Sequence, residues 1–434
     1  MSRKLVRSNS KQTIYERPAE LLQNLIRFDT TNPPGSEAEC VAYINRLLTD
    51  AGFKTTLLAK DANRPNLIAR LKGQGTAAPF LLYGHVDVVT TANQKWTHSP
   101  FEGKVEDGYI WGRGALDMKG GVAMMLAAFL RAKAENLNPA GDVVLAILSD
   151  EEGGGEYGAK YLVDNQAKQF EGIRYAIGEF GGFSTHFGEQ KFYLIQVAEK
   201  QICWMKATVH GPGGHGSLPM RGGAMAKLGQ LLQQLDKHSL PVHITPVTRQ
   251  MIEAIASAFH TDFDSLLELL GQRGQTFEPL LHNMVNPTIV HGGEKINVIP
   301  SEIVLELDGR LLPDLGPEDM IAELRQIIGD EVELEVVRFD PGPAEPDMGL
   351  FDVLAGILRE ADPSGEPLPL LIPGTSDARF FSRLGIQTYG FLPMKLPADF
   401  NFMQTIHGED ERIPVESVTF GTEAIYKALQ RFQE

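Results

Sequence analysis

Leu81-Leu82-Tyr83-Gly84-His85-Val86-Asp87-Val88-Val89 combines an apolar run with a histidine and a carboxylate near its end. An apolar run of this kind is typical of a strand that is buried on both faces of a parallel sheet. Residues two apart along a strand point to the same side, so His85 and Asp87 can act as a unit. A histidine that binds a metal usually hands its second ring nitrogen to a carboxylate or carbonyl, so the stretch predicts one side of a metal site.

Five further residues are candidate ligands. Glu151, Glu152 and Glu179 follow other predicted strands, Asp117 precedes a predicted helix, and His407 is a histidine late in the chain. In open α/β sheets, ligands bind at the carboxyl ends of the strands. Asp117 can instead cap a helix, the other carboxylates can belong to solvated turns, and His407 can be a loop histidine. Carboxylates gathered at one edge would repel one another unless a cation neutralised them. Mixed histidine and carboxylate ligands suit zinc, and less often cobalt or manganese.

The order of predicted elements indicates two domains, as expected for 434 residues. Strands alternate with helices in the first part, which predicts an α/β fold with a largely parallel sheet and helices on both faces. From residue 199 the pattern changes, and residues 202–210 alternate as in a half-exposed strand. The proline-rich segment 340–346 predicts a return linker. We therefore expect a catalytic domain formed by residues 1–198 and 341–434, with an inserted α+β lid or dimerisation domain at 199–340.

Composition excludes several classes of protein. The formal net charge of −16 argues against nucleic acid as a partner, since phosphate binding needs a basic face. No apolar run approaches the length of about 20 residues that spans a bilayer, and the N-terminus lacks the apolar core of a secretory signal, so we expect a cytoplasmic protein without a membrane partner. The two cysteines, Cys40 and Cys203, allow neither a disulfide framework nor a thiolate metal cluster, and buried thiols are expected.

Four segments together resemble one family, the zinc-dependent amidohydrolases and exopeptidases that include aminoacylase, glutamate carboxypeptidase, acetylornithine deacetylase and succinyl-diaminopimelate desuccinylase. The segments are Gly84-His85-Val86-Asp87-Val88-Val89, Gly112-Arg113-Gly114-Ala115-Leu116-Asp117-Met118-Lys119-Gly120-Gly121, Ser149-Asp150-Glu151-Glu152-Gly153 and His407-Gly408. The similarity extends from about residue 18 to the end of the chain. It implies a di-zinc exopeptidase fold with an inserted domain.

The resemblance implies a ligand set for two Zn²⁺ ions, with Co²⁺ or Mn²⁺ as possible substitutes. His85 and Glu179 would bind one metal, Glu152 and His407 the other, and Asp117 would bridge both. Two metals about 3.5–4 Å apart are a known hydrolytic device.

The resemblance also implies how the site works. Asp87 would orient His85, and Glu151 would be the general base. The peptide bond between Asp117 and Met118 would be cis, as it often is in the family.

Residues of the predicted second domain and of a late loop resemble the family's substrate contacts. His215, in a glycine-rich loop, would stabilise the oxyanion and in dimeric relatives reaches the partner's active site; a turn histidine is the alternative. Asn297 and Arg310 resemble contacts to the oxyanion and to the substrate carboxylate, which suits the planar fork of an arginine. A surface charge is the alternative for Arg310. Gly374 and Thr375 would line the substrate loop.

These residues predict a hydrolase that cleaves the amide bond of an N-acyl amino acid or of a short peptide with a free C-terminal carboxylate. Glutamate rather than aspartate at position 179 favours the aminoacylase and carboxypeptidase side of the family. The alternatives are a biosynthetic deacylase of the acetylornithine or succinyl-diaminopimelate type and a peptide-binding relative without turnover, against which the intact Glu151 argues. A two-metal phosphodiesterase fits poorly, because few basic residues accompany the candidate ligands. A homodimer through the inserted domain is expected from the resemblance.

Overall fold

The computed structural model describes residues 13–272 and 277–433. The strands are β1 Thr55–Leu58, β2 Asn66–Leu71, β3 Phe80–His85, β4 Lys104–Glu106, β5 Tyr109–Trp111, β6 Val143–Leu148, β7 Tyr175–Gly178, β8 Phe183–Phe187, β9 Gln190–Glu199, β10 Gln201–His210, β11 Gly214–His215, β12 Met284–His291, β13 Val298–Ile299, β14 Glu302–Leu311, β15 Glu333–Asp340, β16 Gly365–Ile372, β17 Gln387–Gly390 and β18 Arg412–Pro414.

The α-helices are α1 Pro18–Ile26, α2 Ala38–Asp50, α3 Lys119–Ala134, α4 Ala159–Gln166, α5 Ala224–Lys237, α6 Pro246–Ala258, α7 Phe263–Gln272, α8 Glu278–Leu281, α9 Pro317–Ile328, α10 Phe351–Ala361, α11 Ala378–Phe381, α12 Phe402–Thr405 and α13 Val415–Arg431. Short 3-10 helices cover Ile14–Glu16, Ala167–Phe170 and Ser382–Leu384.

The chain forms two compact units. The first contains residues 1–197, 347–370 and 376–434, and the second contains residues 198–346 together with the short segment 371–375. Gly374 and Thr375 therefore group with the second unit, although the sequence analysis placed them in the returning part of the first domain. The functional labels, catalytic domain and lid or dimerisation domain, stay predictions.

A nine-stranded sheet organises the first unit, in the order β1-β2-β6-β3-β7-β17-β9-β16 with β8 paired to β9. The central strands β6, β3, β7 and β17 run parallel, whereas β1, β2 and β6 pair antiparallel on one side and β17 pairs antiparallel with β9 on the other. The predicted α/β fold is confirmed, with a mixed sheet whose parallel part is its centre.

Strand β3 is buried along its whole length because helices cover both faces of the sheet. Leu81 and Tyr83 belong to a core cluster that includes Leu162 of α4. On the opposite face, Phe80 stacks on Phe432, which follows α13, with ring centroids 4.6 Å apart. The unbroken apolar run therefore reflects a strand without a solvent-facing side.

The second unit has a four-stranded antiparallel sheet in the order β12-β14-β10-β15. In β10, Cys203, Met205 and Ala207 are buried in a core with residues of α5 and α9, whereas Trp204 remains 39% exposed. This alternation confirms the predicted half-exposed strand at residues 202–210. A separate two-stranded sheet pairs β11 with β13.

Lys200, at the start of the second unit, is buried, and its Nζ donates to the main-chain oxygen of His282 at 2.6 Å. Burial, and secondly the positive charge of Arg310, lower the pKa of Lys200 to about 7. In the unfolded chain its pKa returns to about 10.4, so between these values the unfolded chain binds more protons and the free energy of unfolding rises with pH.

We expect the rise in the free energy of unfolding with pH that Lys200 causes to be absent in Lys200→Met. The free energy of unfolding of the wild type, minus that of the variant, should increase from pH 7 to pH 10 by at most about 1.4 kcal/mol per pH unit. Urea denaturation across this range measures the difference. A difference that stays constant with pH would contradict the expectation.

Both cysteines are free and buried, Cys40 in α2 and Cys203 in β10, as predicted. Within the part of the chain that the structure describes, no helix has the length and apolarity needed to cross a lipid bilayer.

Candidate metal centre

Three neighbouring parallel strands bring the predicted ligands to one edge of the sheet. His85 ends β3, Glu152 follows β6 in a turn, and Glu179 comes directly after β7. Because β3 lies between β6 and β7, the carboxyl ends of all three meet at the same edge. Asp117 precedes α3, which begins at Lys119 and has no side-chain cap, so capping is not the role of this aspartate. The peptide bond between Asp117 and Met118 is cis, as predicted.

The predicted ligands form two groups that share Asp117. His85 Nε2 lies 3.1 Å from Asp117 Oδ1 and 3.3 Å from Glu179 Oε2. His407 Nε2 lies 3.0 Å from Asp117 Oδ2 and 3.2 Å from Glu152 Oε1. Within each group the ligand atoms all lie within 4.8 Å of one another. Each oxygen of Asp117 therefore faces a different histidine, the arrangement that a bridging carboxylate requires.

The carboxylates of the two groups raise the pKa values of the groups around them. Burial would lower the pKa of His85, but the surrounding carboxylates, first that of Asp117, raise it well above its usual value. Hydrogen bonds to Asp117 and Glu152 raise the pKa of His407 to about 10. Burial and the charge of Asp117 raise the pKa of Glu152 to about 7. These pKa shifts arise because several carboxylates lie together at one place, where a divalent cation would balance their negative charge.

The donor set fits divalent metal ions. Imidazole nitrogens and carboxylate oxygens are the ligands that zinc takes in catalytic sites. Glu179 Oε1 is buried and has no hydrogen-bond partner among the residues that the structure describes, so this oxygen is available to a cation. His85 is 1% exposed and His407 is 47% exposed at the side chain, so one group lies deeper than the other.

Asp87 contacts His85 and also the main chain of the turn that contains Glu151 and Glu152. The His85 Nδ1 atom lies 3.0 Å from the main-chain oxygen of Asp87 and 3.5 Å from its Oδ1. The carboxylate accepts the main-chain N–H of Glu151 at 3.1 Å and that of Glu152 at 3.1 Å. Asp87 is therefore placed to fix the turn that carries the predicted base as well as the histidine.

A buried network that the sequence analysis did not identify extends from Asp87. Asn32 Nδ2 donates to Asp87 Oδ2 at 2.9 Å and to Asp150 Oδ1 at 3.1 Å. Arg64 pairs with Asp150 at 2.8 Å and with Glu37 at 2.7 Å. Asn32 belongs to the segment Thr31-Asn32-Pro33-Pro34-Gly35, whose prolines and glycine break the first predicted helix. The sequence pattern at Asn32 therefore indicated only a turn.

Two further carboxyl groups near the cluster are buried. Burial, and secondly the charge of Glu179, raise the pKa of Glu151 well above its usual value. Burial raises the pKa of Asp377 to about 8. Among the described residues neither carboxylate oxygen of Asp377 has a hydrogen-bond partner, and at the start of α11 its side chain makes no capping bond.

The predicted substrate residues lie in the second unit. His215 in β11 pairs with Val298 of β13, and Asn297 O accepts the N–H of Gly216 at 2.9 Å, so His215 and Asn297 are neighbours. His215 is exposed, and its Nδ1 lies 2.8 Å from Ser217 Oγ.

Arg310 and Thr375 also lie together in this unit. Arg310 Nη1 donates to Thr375 Oγ1 at 3.3 Å, while Nε and Nη2 hold the carboxylate of Asp308 at 2.8 and 3.1 Å. A Cβ added at Gly374 would meet no atom of the described residues within 4 Å, apart from its chain neighbours, so there is open space beside this residue. The guanidinium is thus held by a carboxylate and is not a free surface charge.

Comparison with known proteins gives consistent matches. The model of peptidase family M20/M25/M40 matches residues 81–431. A succinyl-diaminopimelate desuccinylase of Paracoccus denitrificans is 28% identical over 430 residues, which are 96% of this chain and 98% of that protein. An N-fatty-acyl-amino acid synthase/hydrolase of Xenopus tropicalis is 29% identical over 365 residues, 78% and 70% of the two chains. The solved M20 metallo-carboxypeptidase Sso-CP2 of Sulfolobus solfataricus has the same fold, with a TM-score of 0.70, 18% identity and coverage of 95% and 98%.

Proposed function

This chain belongs to peptidase family M20/M25/M40, and on that premise we propose that it hydrolyses the amide bond of an N-acyl amino acid or of a short peptide with a free carboxylate. Family membership confirms the resemblance inferred from the motifs, and the protein is a metal-dependent hydrolase. The observation that carries the proposal is the position of Asp117, whose two carboxylate oxygens lie 3.1 and 3.0 Å from the nitrogens of two different histidines.

We propose zinc as the metal, with His85 and Glu179 binding one ion, Glu152 and His407 the other, and Asp117 both. When bound, two such cations would polarise the substrate carbonyl and lower the pKa of a water molecule toward neutrality. The choice of zinc is supported by the mixed nitrogen and oxygen donors.

Glu151 is proposed as the general base. It takes a proton from the attacking water onto a carboxylate oxygen and delivers it to the leaving nitrogen. The raised pKa of Glu151 supports this role, because a carboxylate with a higher pKa accepts a proton more readily. Asp87 supports the step by holding the main-chain N–H of Glu151.

The second unit is proposed to recognise the substrate. Arg310 would bind the substrate carboxylate, with Thr375 and Gly374 beside it. His215 and Asn297 would donate to the oxyanion, and we propose that a second copy of the chain supplies His215 within a homodimer formed through residues 199–340. Size-exclusion chromatography with light scattering tests the dimer. The cytoplasmic location stays a prediction.

We expect Arg310→Ala to raise KM by about 10- to 100-fold with little change in kcat, because a charge-assisted hydrogen bond contributes about 1.5–3 kcal/mol. Steady-state kinetics on an N-acyl amino acid measures both constants. Arg338→Ala is the matched control. Arg338 donates to the carboxylate of Asp340, as Arg310 does to that of Asp308, and both arginines lie in the same four-stranded sheet. Equal effects of the two substitutions would remove Arg310 from the substrate site.

The experiment that tests the function is a hydrolysis profile of the zinc-loaded protein across N-acetyl, N-long-chain-acyl and N-succinyl amino acids and dipeptides. A deacylase of the succinyl-diaminopimelate type is the second candidate, favoured by the match to the Paracoccus desuccinylase along nearly all of both chains. Turnover confined to succinylated substrates would select it. Binding without turnover of any substrate would select the non-catalytic alternative.

A further inference from the structure

Arg113 and Glu411 form an ion pair in the first unit that is completely buried. Their side chains are 0% exposed, and Arg113 Nη1 lies 2.6 Å from Glu411 Oε2. Removing two charges from water is costly, so a buried ion pair is weak evidence for stability by itself. What this pair holds in place is more informative than the pair alone.

The glutamate holds the main chain that carries the shared ligand. Glu411 Oε1 accepts the N–H of Leu116 at 2.7 Å and the N–H of Asp117 at 3.2 Å. Glu411 therefore fixes the main chain of Asp117, the residue whose carboxylate faces both histidines.

The arginine holds the main chain of the exposed ligand. Arg113 Nη2 donates to the main-chain oxygen of His407 at 3.1 Å and to Gln94 Oε1 at 2.7 Å, and Gln94 Nε2 donates to the same His407 oxygen at 2.9 Å. His407 has a backbone φ of 58°, in the left-handed region that residues other than glycine rarely adopt. Such a conformation persists where the surroundings fix it, and two donors on the His407 carbonyl do so.

We propose that Arg113, Glu411 and Gln94 form a clamp of positioning residues that joins Asp117 to His407 and sets the affinity of the group formed by Asp117, Glu152 and His407 for its cation. This inference rests on the proposed two-metal function. The clamp fixes both ends of the 3.0 Å approach of His407 Nε2 to Asp117 Oδ2.

The other group depends less on the clamp. Both groups share Asp117, but the other two ligands of this group do not depend on the clamp. His85 is held by β3 and Glu179 follows β7, and in the described part of the chain neither forms a hydrogen bond with a clamp residue. Loss of the clamp should therefore weaken one cation far more than the other, whereas general destabilisation would weaken both.

Arg113→Lys tests the clamp without leaving Glu411 alone. Lysine keeps the positive charge, but one ammonium cannot replace a planar fork that reaches Glu411, Gln94 and the His407 carbonyl at once. We expect the first equivalent of Zn²⁺ to bind as in the wild type and the second to bind about 10- to 100-fold more weakly, the usual cost of losing support behind a ligand. Gln94→Ala, at a half-buried loop position, should weaken the second equivalent in the same direction but less.

The measurement is calorimetric titration of the metal-stripped full chain with Zn²⁺, with thermal unfolding of each variant recorded beside it. Arg131→Lys is the control, because Arg131 is likewise held in ion pairs, with Glu135 and Glu423, but within the described residues it contacts no predicted ligand. If Arg113→Lys does not fold, Gln94→Ala carries the test. The clamp is refuted if folded variants bind both equivalents with wild-type affinity or lose both equally. A wild type that takes up fewer than two Zn²⁺ ions would instead overturn the proposed two-metal site, and the clamp with it.

Discussion

Glu151→Gln is expected to reduce kcat by about 10²- to 10⁴-fold while the protein keeps its full metal content. The amide has nearly the shape of the carboxylate but cannot take a proton from water or return one to the leaving nitrogen. Since Glu151 supplies no atom to either group of candidate ligands, metal binding should not change. Steady-state kinetics together with metal analysis of the same sample measures both quantities.

Glu156→Gln is the control for this substitution. Glu156 lies five residues further along the chain, but its side chain is half exposed and pairs with Lys60 and Lys160. This variant should keep wild-type turnover. If Glu151→Gln were as active as Glu156→Gln, the assignment of Glu151 as the base would be wrong.

Asp117→Asn is expected to remove both cations and to lower activity to the level of chelator-treated wild type. A neutral amide has one carbonyl oxygen, so it cannot offer an anionic oxygen to each of two groups as Asp117 does. Metal-free Asp117→Asn should unfold somewhat more easily than metal-free wild type, because the substitution removes the negative charge that faces His85 and His407.

Metal analysis after dialysis, activity after addition of Zn²⁺, and thermal unfolding in the presence of a chelator test this expectation. Asp107→Asn, in an exposed turn, is the control and should bind two equivalents. Retention of one full equivalent in Asp117→Asn would mean that the aspartate serves a single ion and is not a bridge.

Much of the site followed from sequence because its ligands stand at strand ends. The run from Leu81 to His85 predicted a strand buried on both faces, and β3 has this form. The acidic residues after two further predicted strands, Glu152 and Glu179, meet His85 because β6 and β7 flank β3 in parallel. Regular geometry of a parallel sheet thus converts position in the sequence into proximity.

The residues behind the ligands could not be found in this way. Glu411 precedes a short strand and carries no pattern, yet it binds the N–H of Asp117, nearly three hundred residues earlier. Asn32 lies in a segment whose prolines indicate only a break in a helix, yet it connects Asp87 with Asp150. Hydrogen bonds between distant segments have no periodicity, so a single sequence gives no sign of them.

By itself the sequence determined the α/β class and the residue types that can bind a metal, because apolar periodicity and ligand chemistry are local properties of the chain. Its motifs also carried the resemblance to the family. Only the tertiary structure decided that the two oxygens of Asp117 face different histidines and that a buried ion pair holds the main chain at both ends of one such contact. The physical reason is that bond direction and burial arise from segments far apart in the chain, and these become defined only when the core packs.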